Sequence, residues 1–321
     1  MRLRNTADYR TVLWVGLAIL LVIIQYSHVD WIVYLSPISC YLAIACGVIA
    51  HNHNHRATFH SRRLNNAFGH VLTVFYGYPT IMWIPTHNLN HHHFVNRPGD
   101  ATITWRYTNK HNLFVAATYP LVSAYFQTEP VQRYVRLAKR KNRSLYSRIL
   151  FQYAFWIAFY CGMMFLAWYL YHGQQFGRGL YVWFFSLVLP AICSFTIIMV
   201  FNYIQHVHAD AWSDIDHSRN FTGRMFNFLF FNNGFHTVHH ERPGLHWSEL
   251  PAAHAKIAAD IDPRLNEKSL CWFMVRQYVL AFFIPSFSTT QVGRSPVAQC
   301  VNMAHVSDRN ELSSNGPALS D

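Results

Sequence analysis

The sequence predicts an all-α integral membrane protein, with four transmembrane helices in two hairpins, further interfacial helices and a histidine-rich cytosolic cap. Three observations carry that prediction. Of 321 residues, 52% are apolar and only 13% are charged, against about 25% charged in soluble domains. Four apolar runs are long enough for a bilayer core of about 30 Å, which takes about 20 helical residues. The chain also holds 21 histidines, most of them in four clusters placed after apolar runs.

The first run is 11–28 and the second 31–50, with only Val29 and Asp30 between them. Runs 149–171 and 180–203 form a second hairpin. Three further runs are weaker. Residues 66–86 contain Gly69, Gly77, Pro79 and Pro85, residues 113–128 are short and contain Pro120, and residues 270–287 carry Arg276 near their middle. A cation at a helix centre costs roughly 2.5–3.5 kcal/mol in a bilayer. All three are therefore expected to be interfacial or re-entrant helices.

The formal net charge is +11. Its placement beside apolar runs indicates a membrane surface, not nucleic acid. Arg2, Arg4 and Arg10 precede the first span. Arg133, Arg136, Lys139, Arg140, Lys141, Arg143 and Arg148 precede the third, with no acid among them. The positive-inside rule then places both termini and every histidine cluster in the cytosol, at a bacterial inner membrane or the endoplasmic reticulum. The first span is not expected to be a cleaved signal peptide, because a second span follows it directly. Six scattered cysteines with no CxxC pair are expected to be small buried hydrophobes.

The clusters are His51, His53, His55 and His60; then His87, His91, His92 and His93; then Asn202, His206 and His208; then His236, His239 and His240. Residues three or four apart share a helix face. His51 and His55, His87 and His91, Asn202 and His206, and the trio at 236–240 are each expected to do so. An isolated histidine such as His28, His70, His111, His172 or His305 is ordinarily a surface or satisfied core group. Crowding some nine neutral imidazoles on one membrane face stabilises nothing unless their lone pairs bind something. One zinc takes four ligands, so nine suit two ions. Without thiolates, copper(I) and iron–sulfur clusters are disfavoured. Two irons with nitrogen ligands and open positions fit the count.

His51-NHN-His55, His87-NLN-His91-His92 and His236-TV-His239-His240 resemble, in order, the boxes HX3-4H, HX2-3HH and HX2HH of the membrane fatty acid desaturase and hydroxylase family. Asn202-YIQ-His206 resembles the NxxxH pair that the stearoyl-CoA branch carries after its fourth span. The resemblance runs from about residue 11 to about residue 262. It implies four long helices as a stem under a cytosolic cap that holds two iron ions. The implied iron ligands are His51, His55, His87, His91, His92, His206, His236, His239 and His240, with Asn202 acting directly or through water. The implied reaction uses O2 and two electrons to remove hydrogens from an unactivated alkyl chain, giving desaturation or, from the same first abstraction, hydroxylation.

His55-RATF-His60 is an alternative first box. His51 and His55 are the expected pair, because Arg56 and Phe59 follow as the family pattern has them. His53, His93 and His208 are extra to the pattern. Asp210, Asp214, Asp216 and Glu241 are candidates for carboxylates that orient ligating imidazoles. The aromatic stretches 226–235 and 73–85 suit either an apolar tunnel or interface anchoring. The basic run 133–148 suits an acidic carrier or, better, anionic lipid.

The expected reaction is a double-bond insertion into an acyl chain linked to lipid, CoA or acyl carrier protein, with a hydroxylase, ketolase or acetylenase as the alternative. Without a fused haem or rubredoxin motif, electrons are expected from a separate ferredoxin, rubredoxin or cytochrome b5 type donor. A metal transporter would carry ionisable groups within its spans, and these spans carry almost none. A zinc hydrolase would need a motif such as HExxH, which does not occur. Residues 1–288 are expected to form the enzyme domain and 289–321 a polar, disordered tail.

Overall fold

The computed structural model describes residues 2–174 and 177–296. Four of its helices are long and apolar enough to cross a membrane. They are Asp8–Ser27 (α1), Ile32–His55 (α2, preceded by a tight turn at Val29–Trp31), Arg143–Tyr171 and Arg178–His206. The last two are 29 residues each, or roughly 40 Å at 1.5 Å per residue. That exceeds a bilayer core by roughly 10 Å. In the fourth helix the surplus matters, because its histidine-bearing end lies past the apolar stretch. Both α2 and the fourth helix run past the apolar windows, which end at 50 and 203. The first cluster and the Asn202–His206 pair are therefore helical.

Between the hairpins lie Arg62–Tyr76 (α3) and Leu113–Lys141 (α4). α3 stops at Gly77, whose φ of 80° permits the left-handed turn there. The chain then tightens through Thr80–Met82 into a π-helical stretch, Ile84–His91. Run 66–86 is thus broken into short pieces and is not one of the four candidate spans. α4 corrects an expectation. The run 113–128 is the apolar start of a continuous helix of 29 residues containing both Pro120 and Pro130. Its second half is basic, which hid it from an apolar pattern. Arg143–Tyr171 is α5 and Arg178–His206 is α6.

α2 packs against α1, α3 and α6. Gly47 permits the closest approach: a Cβ there would lie 2.8 Å from Ser194 Oγ on α6. Ser194 Oγ donates to the Ala43 carbonyl at 2.8 Å. Small residues at helix contacts are the usual device for joining helices in lipid, where the hydrophobic effect supplies no attraction. α5 turns Leu150, Phe151, Ile157, Phe165 and Trp168 outward, a face suited to acyl chains.

The cap is built from residues after α6. It holds His236–Glu241 (α7) and Leu270–Phe283 (α8). A two-residue parallel pairing joins Asn220–Phe221 to Asn266–Glu267. Asp8 at the start of α1 accepts from Trp247 Nε1 at 3.0 Å, tying cap to stem. The expected tail from 289 begins inside the fold instead. Thr289 Oγ1 lies 2.6 Å from His111 Nδ1 and 3.0 Å from His208 Nδ1, Gln291 donates to the Ala209 carbonyl, and Val292 is buried. Polar side chains there bond to buried partners, which a composition reading cannot register. Residues 297–321 of that tail lie outside the described residues.

Arg219 is buried to 1% exposure and closes α6. Its guanidinium donates to the carbonyls of Ile204 at 2.7 Å and Val207 at 3.0 Å. These face the negative end of the helix, where a cation is favoured. Burial pulls its pKa down to about 10, which leaves it charged at neutral pH. Arg219→Met is expected to cost about 2–3 kcal/mol by orphaning these carbonyls. The readout is a lower thermal unfolding midpoint by tryptophan fluorescence. An unchanged midpoint would remove Arg219 from the cap.

Candidate metal centre

Four elements deliver imidazoles to one place. The last turn of α2 carries His51 and His55. α6 ends on His206. The π-helical stretch carries His87 and His91, with His92 immediately after. α7 carries His236, His239 and His240. Tight local packing sets α7. Phe221 N donates to the Gly234 carbonyl at 2.8 Å, and a Cβ on Gly234 would run into the Phe221 carbonyl. Thr237 N then donates to Asn220 Oδ1 at 3.0 Å.

The nine histidines sort into two groups. His51, His55, His87, His92 and His239 form one, and His91, His206, His236 and His240 form the other. Within each group the ligating nitrogens all lie within 4.8 Å of one another. In the first group, His51 Nε2 is 2.8 Å from His87 Nε2 and 3.0 Å from His239 Nε2, and His92 Nε2 is 3.0 Å from both. In the second, the Nε2 atoms of His206, His236 and His240 form a triangle with sides of 3.0–3.1 Å. The groups adjoin: the His92 and His240 rings have centroids 4.5 Å apart.

This sorting corrects the expected faces. His87 and His91 are four apart yet belong to different groups. A π-helix closes i to i+5, so His87 aligns with His92 and His91 swings to the other group. In α7, His236 and His240 stay together and His239 crosses over.

Three histidines carry a second contact that fixes the inward nitrogen. His91 Nδ1 is 2.9 Å from Asp100 Oδ2, His206 Nδ1 is 3.1 Å from the His217 carbonyl, and His51 Nδ1 is 3.2 Å from Asn52 Oδ1. Each faces an oxygen that accepts, so the ring proton sits on Nδ1 and Nε2 keeps its lone pair. Burial first, and neighbouring imidazoles second, hold His87, His92, His236, His239 and His240 well below the ordinary histidine range. These rings are neutral at physiological pH. Converging neutral nitrogens in a dry site repel unless a cation lies among them. Five and four imidazoles suit two divalent first-row ions with positions left open, and iron fits that donor set.

Asp100 is the carboxylate that the sequence reading missed. Its side chain is fully buried beside His91. Burial alone would raise its pKa. The His91 imidazole and the Thr102 hydroxyl and amide outweigh that and hold it at about 2. Asn96 N and Thr102 N both donate to it at 2.7 Å. A signal for it existed: Asp100 is the only acid between Asp30 and Glu129. The expected acids serve elsewhere. Asp210 and Asp216 accept from loop amides, while Asp214 and Glu241 are exposed.

Asn202 lies one turn before His206, and its amide nitrogen donates to Tyr119 Oη at 2.7 Å. Four histidines of the sequence clusters stand outside both groups. His60 and His93 are exposed. His53 contacts Thr58 Oγ1 at 2.8 Å, and His208 contacts the Asn109 carbonyl at 2.7 Å.

A cavity of about 260 Å³ reaches both groups, being lined by His51, His87 and His236 as well as Val48, Phe195 and Ile198. Of the two aromatic stretches, 73–85 supplies Tyr76, Tyr78, Met82 and Trp83 to its wall. The other supplies Asn233 alone, because Phe226, Phe230 and Phe231 pack on Phe201 and Trp247 instead.

A family model described as fatty acid desaturase matches residues 29–269. Comparisons with curated proteins and with solved structures gave no match.

Asp100→Asn removes the charge beside His91 and keeps the shape. It is expected to weaken metal binding by about 10–100-fold at the His91 group, with the His51 group little changed. Titration of the metal-free protein with ferrous iron checks this. Equal loss at both groups, or at neither, would contradict it.

Proposed function

This chain belongs to the fatty acid desaturase family, and from that premise we propose that it inserts a double bond into a fatty acyl chain with O2, at a pair of irons. Membership makes it an oxidoreductase of membrane lipid metabolism, in an iron-dependent family, with two histidine groups that could hold metal. One observation carries the finer reading. The cavity of about 260 Å³ is mostly apolar and ends against histidines of both groups.

The reaction balances as follows. One O2, two external electrons and two protons enter. Two hydrogens leave adjacent carbons, one C=C bond forms and two waters are released. Bound iron would supply O2 activation toward unreactive C–H bonds. The chain's own residues supply position and dryness. His51, His55, His87, His92 and His239 would hold one iron, and His91, His206, His236 and His240 the other. Asn202, held by Tyr119, would act on the second directly or through water. Asp100 orients His91. Val48, Phe195 and Ile198 keep an alkyl chain in apolar surroundings beside the histidines.

Arginine-rich segments beside the four candidate spans support a reading in which both groups and the amino terminus face the cytosol. Electrons would reach them from a separate ferredoxin, rubredoxin or cytochrome b5 type protein. The substrate is an acyl chain carried on lipid, CoA or acyl carrier protein.

Expression in a host of known lipid content, followed by acyl-chain mass spectrometry, tests this. A new double bond is expected. His240→Ala should abolish it while the protein still inserts into membranes. A new hydroxyl would assign the alternative outcome, and an unchanged profile with iron-loaded protein would overturn the acyl substrate.

A further inference from the structure

A second cavity lies on the flank of the protein and touches the last turn of α2 at His53 and Asn54, outside both histidine groups. It has a volume of about 760 Å³ and lies between α3 and α5. Its lining is mixed. Asn65, Asn66, Ser144, Ser147 and Arg148 are polar and Ile81, Ile84 and Phe151 apolar, with Thr80 and Gln152 adding polar groups beside the apolar ones. Its height relative to the bilayer follows from α5. Residues before 149 are basic and polar, and from Leu150 onward the exposed residues are apolar. The groove therefore straddles the level where headgroups meet acyl chains, on the reading that α5 spans the membrane.

Charge points to what fills it. Arg148 donates to Asn66 Oδ1 at 3.0 Å, a neutral partner. Among the described residues, none of Arg62, Arg63, Arg143 and Arg148 makes an ion pair with an acid. No Asp or Glu occurs from 31 to 99 or from 130 to 209, so both walls of the groove lack acids. Ser144 and Ser147 lie in the first turns of α5, after its cap at Asn142. Gly69 on α3 also lines the groove, with Gln152 and Thr80 each 3.7 Å from where a Cβ would sit.

We infer that this groove binds the phosphodiester headgroup of one anionic phospholipid from the cytosolic leaflet. The phosphate is met by Arg148 with Ser144 and Ser147, and the first methylenes lie on Phe151 and Ile84. A neutral zwitterionic lipid brings its own cation toward Arg148, with no acid on either wall to meet it, and fits less well. The groove has a link to the metal centre. Ile81 lines the groove while Met82 lines the inner cavity, and the same segment leads into His87. This inference rests on the membrane placement and orientation of α5, not on the reaction at the irons.

Native mass spectrometry of the full-length, delipidated protein in detergent tests it, with phosphatidylglycerol, phosphatidylcholine and free glycerol phosphate as probes. One phosphatidylglycerol per chain should be retained, in preference to phosphatidylcholine. Arg148→Gln should lower that retention by about fivefold, the ordinary effect of one cation at an anionic surface. Arg133→Gln on the exposed face of α4 removes the same charge outside the groove and should leave retention unchanged. Equal retention of the two lipids, or equal loss in both variants, would overturn the site. Displacement by equimolar glycerol phosphate would overturn the lipid as occupant and assign a soluble phosphate ester. Iron content, measured in parallel, reports that each variant is folded.

Discussion

Everything in this structure answers to one constraint: nine imidazoles, most of them buried, converge nitrogen toward nitrogen in two adjoining groups. Nε2 atoms 2.8–3.1 Å apart cannot all satisfy one another, because each neutral ring has one proton and their lone pairs aim inward. A cation at each focus resolves the conflict, and the scaffold keeps the rings from turning away. α2 and α6 run past their apolar stretches to present His51, His55 and His206. Arg219 holds the end of α6 in place. Gly234 lets the chain pass the Phe221 carbonyl so that α7 meets the other helices. The π-helical stretch divides the middle cluster between the two foci.

The same placement serves the chemistry. The inner cavity is apolar over most of its wall and touches histidines of both groups. An alkyl chain lying there would have its C–H bonds beside the metals and away from water, which limits side reactions. Asp100 and Asn202 belong to one buried polar layer behind the second group. Tyr119 links them, donating to the Thr102 carbonyl at 2.6 Å and accepting from Asn202. Asn96 adds a further tie, donating to the His206 carbonyl at 3.2 Å. Disturbing one member of that layer is felt by His91 in the π-helical stretch and by His206 and Asn202 on α6.

Much of this was legible in the residues. Length and apolarity marked the four long helices, because a bilayer needs both. The i, i+4 rule found His51 with His55 and His236 with His240, since those segments are ordinary α-helix. It failed for His87 and His91, because nothing in NLN signals a switch to π spacing. Asp100 was hidden by its turn: Val95 and Asn96 both take positive φ, folding the chain back onto His91 from nine residues away. α4 was read as short because its second half trades apolar for basic residues without leaving the helix. The segment after 288 was read as tail because its anchors, Thr289 and Gln291, are polar.

The division of nine histidines into two groups is the central claim, and neighbours in sequence test it most directly. Ferrous iron should be titrated into the metal-free protein carrying His239→Ala or His240→Ala, each alone and each combined with Asp100→Asn. The wild type should bind about two irons. Asp100 supports the group that contains His240. Adding Asp100→Asn to His240→Ala should therefore cost little further binding, whereas adding it to His239→Ala should impair both irons. The same further loss in both backgrounds, or a single metal in the wild type, would contradict the account.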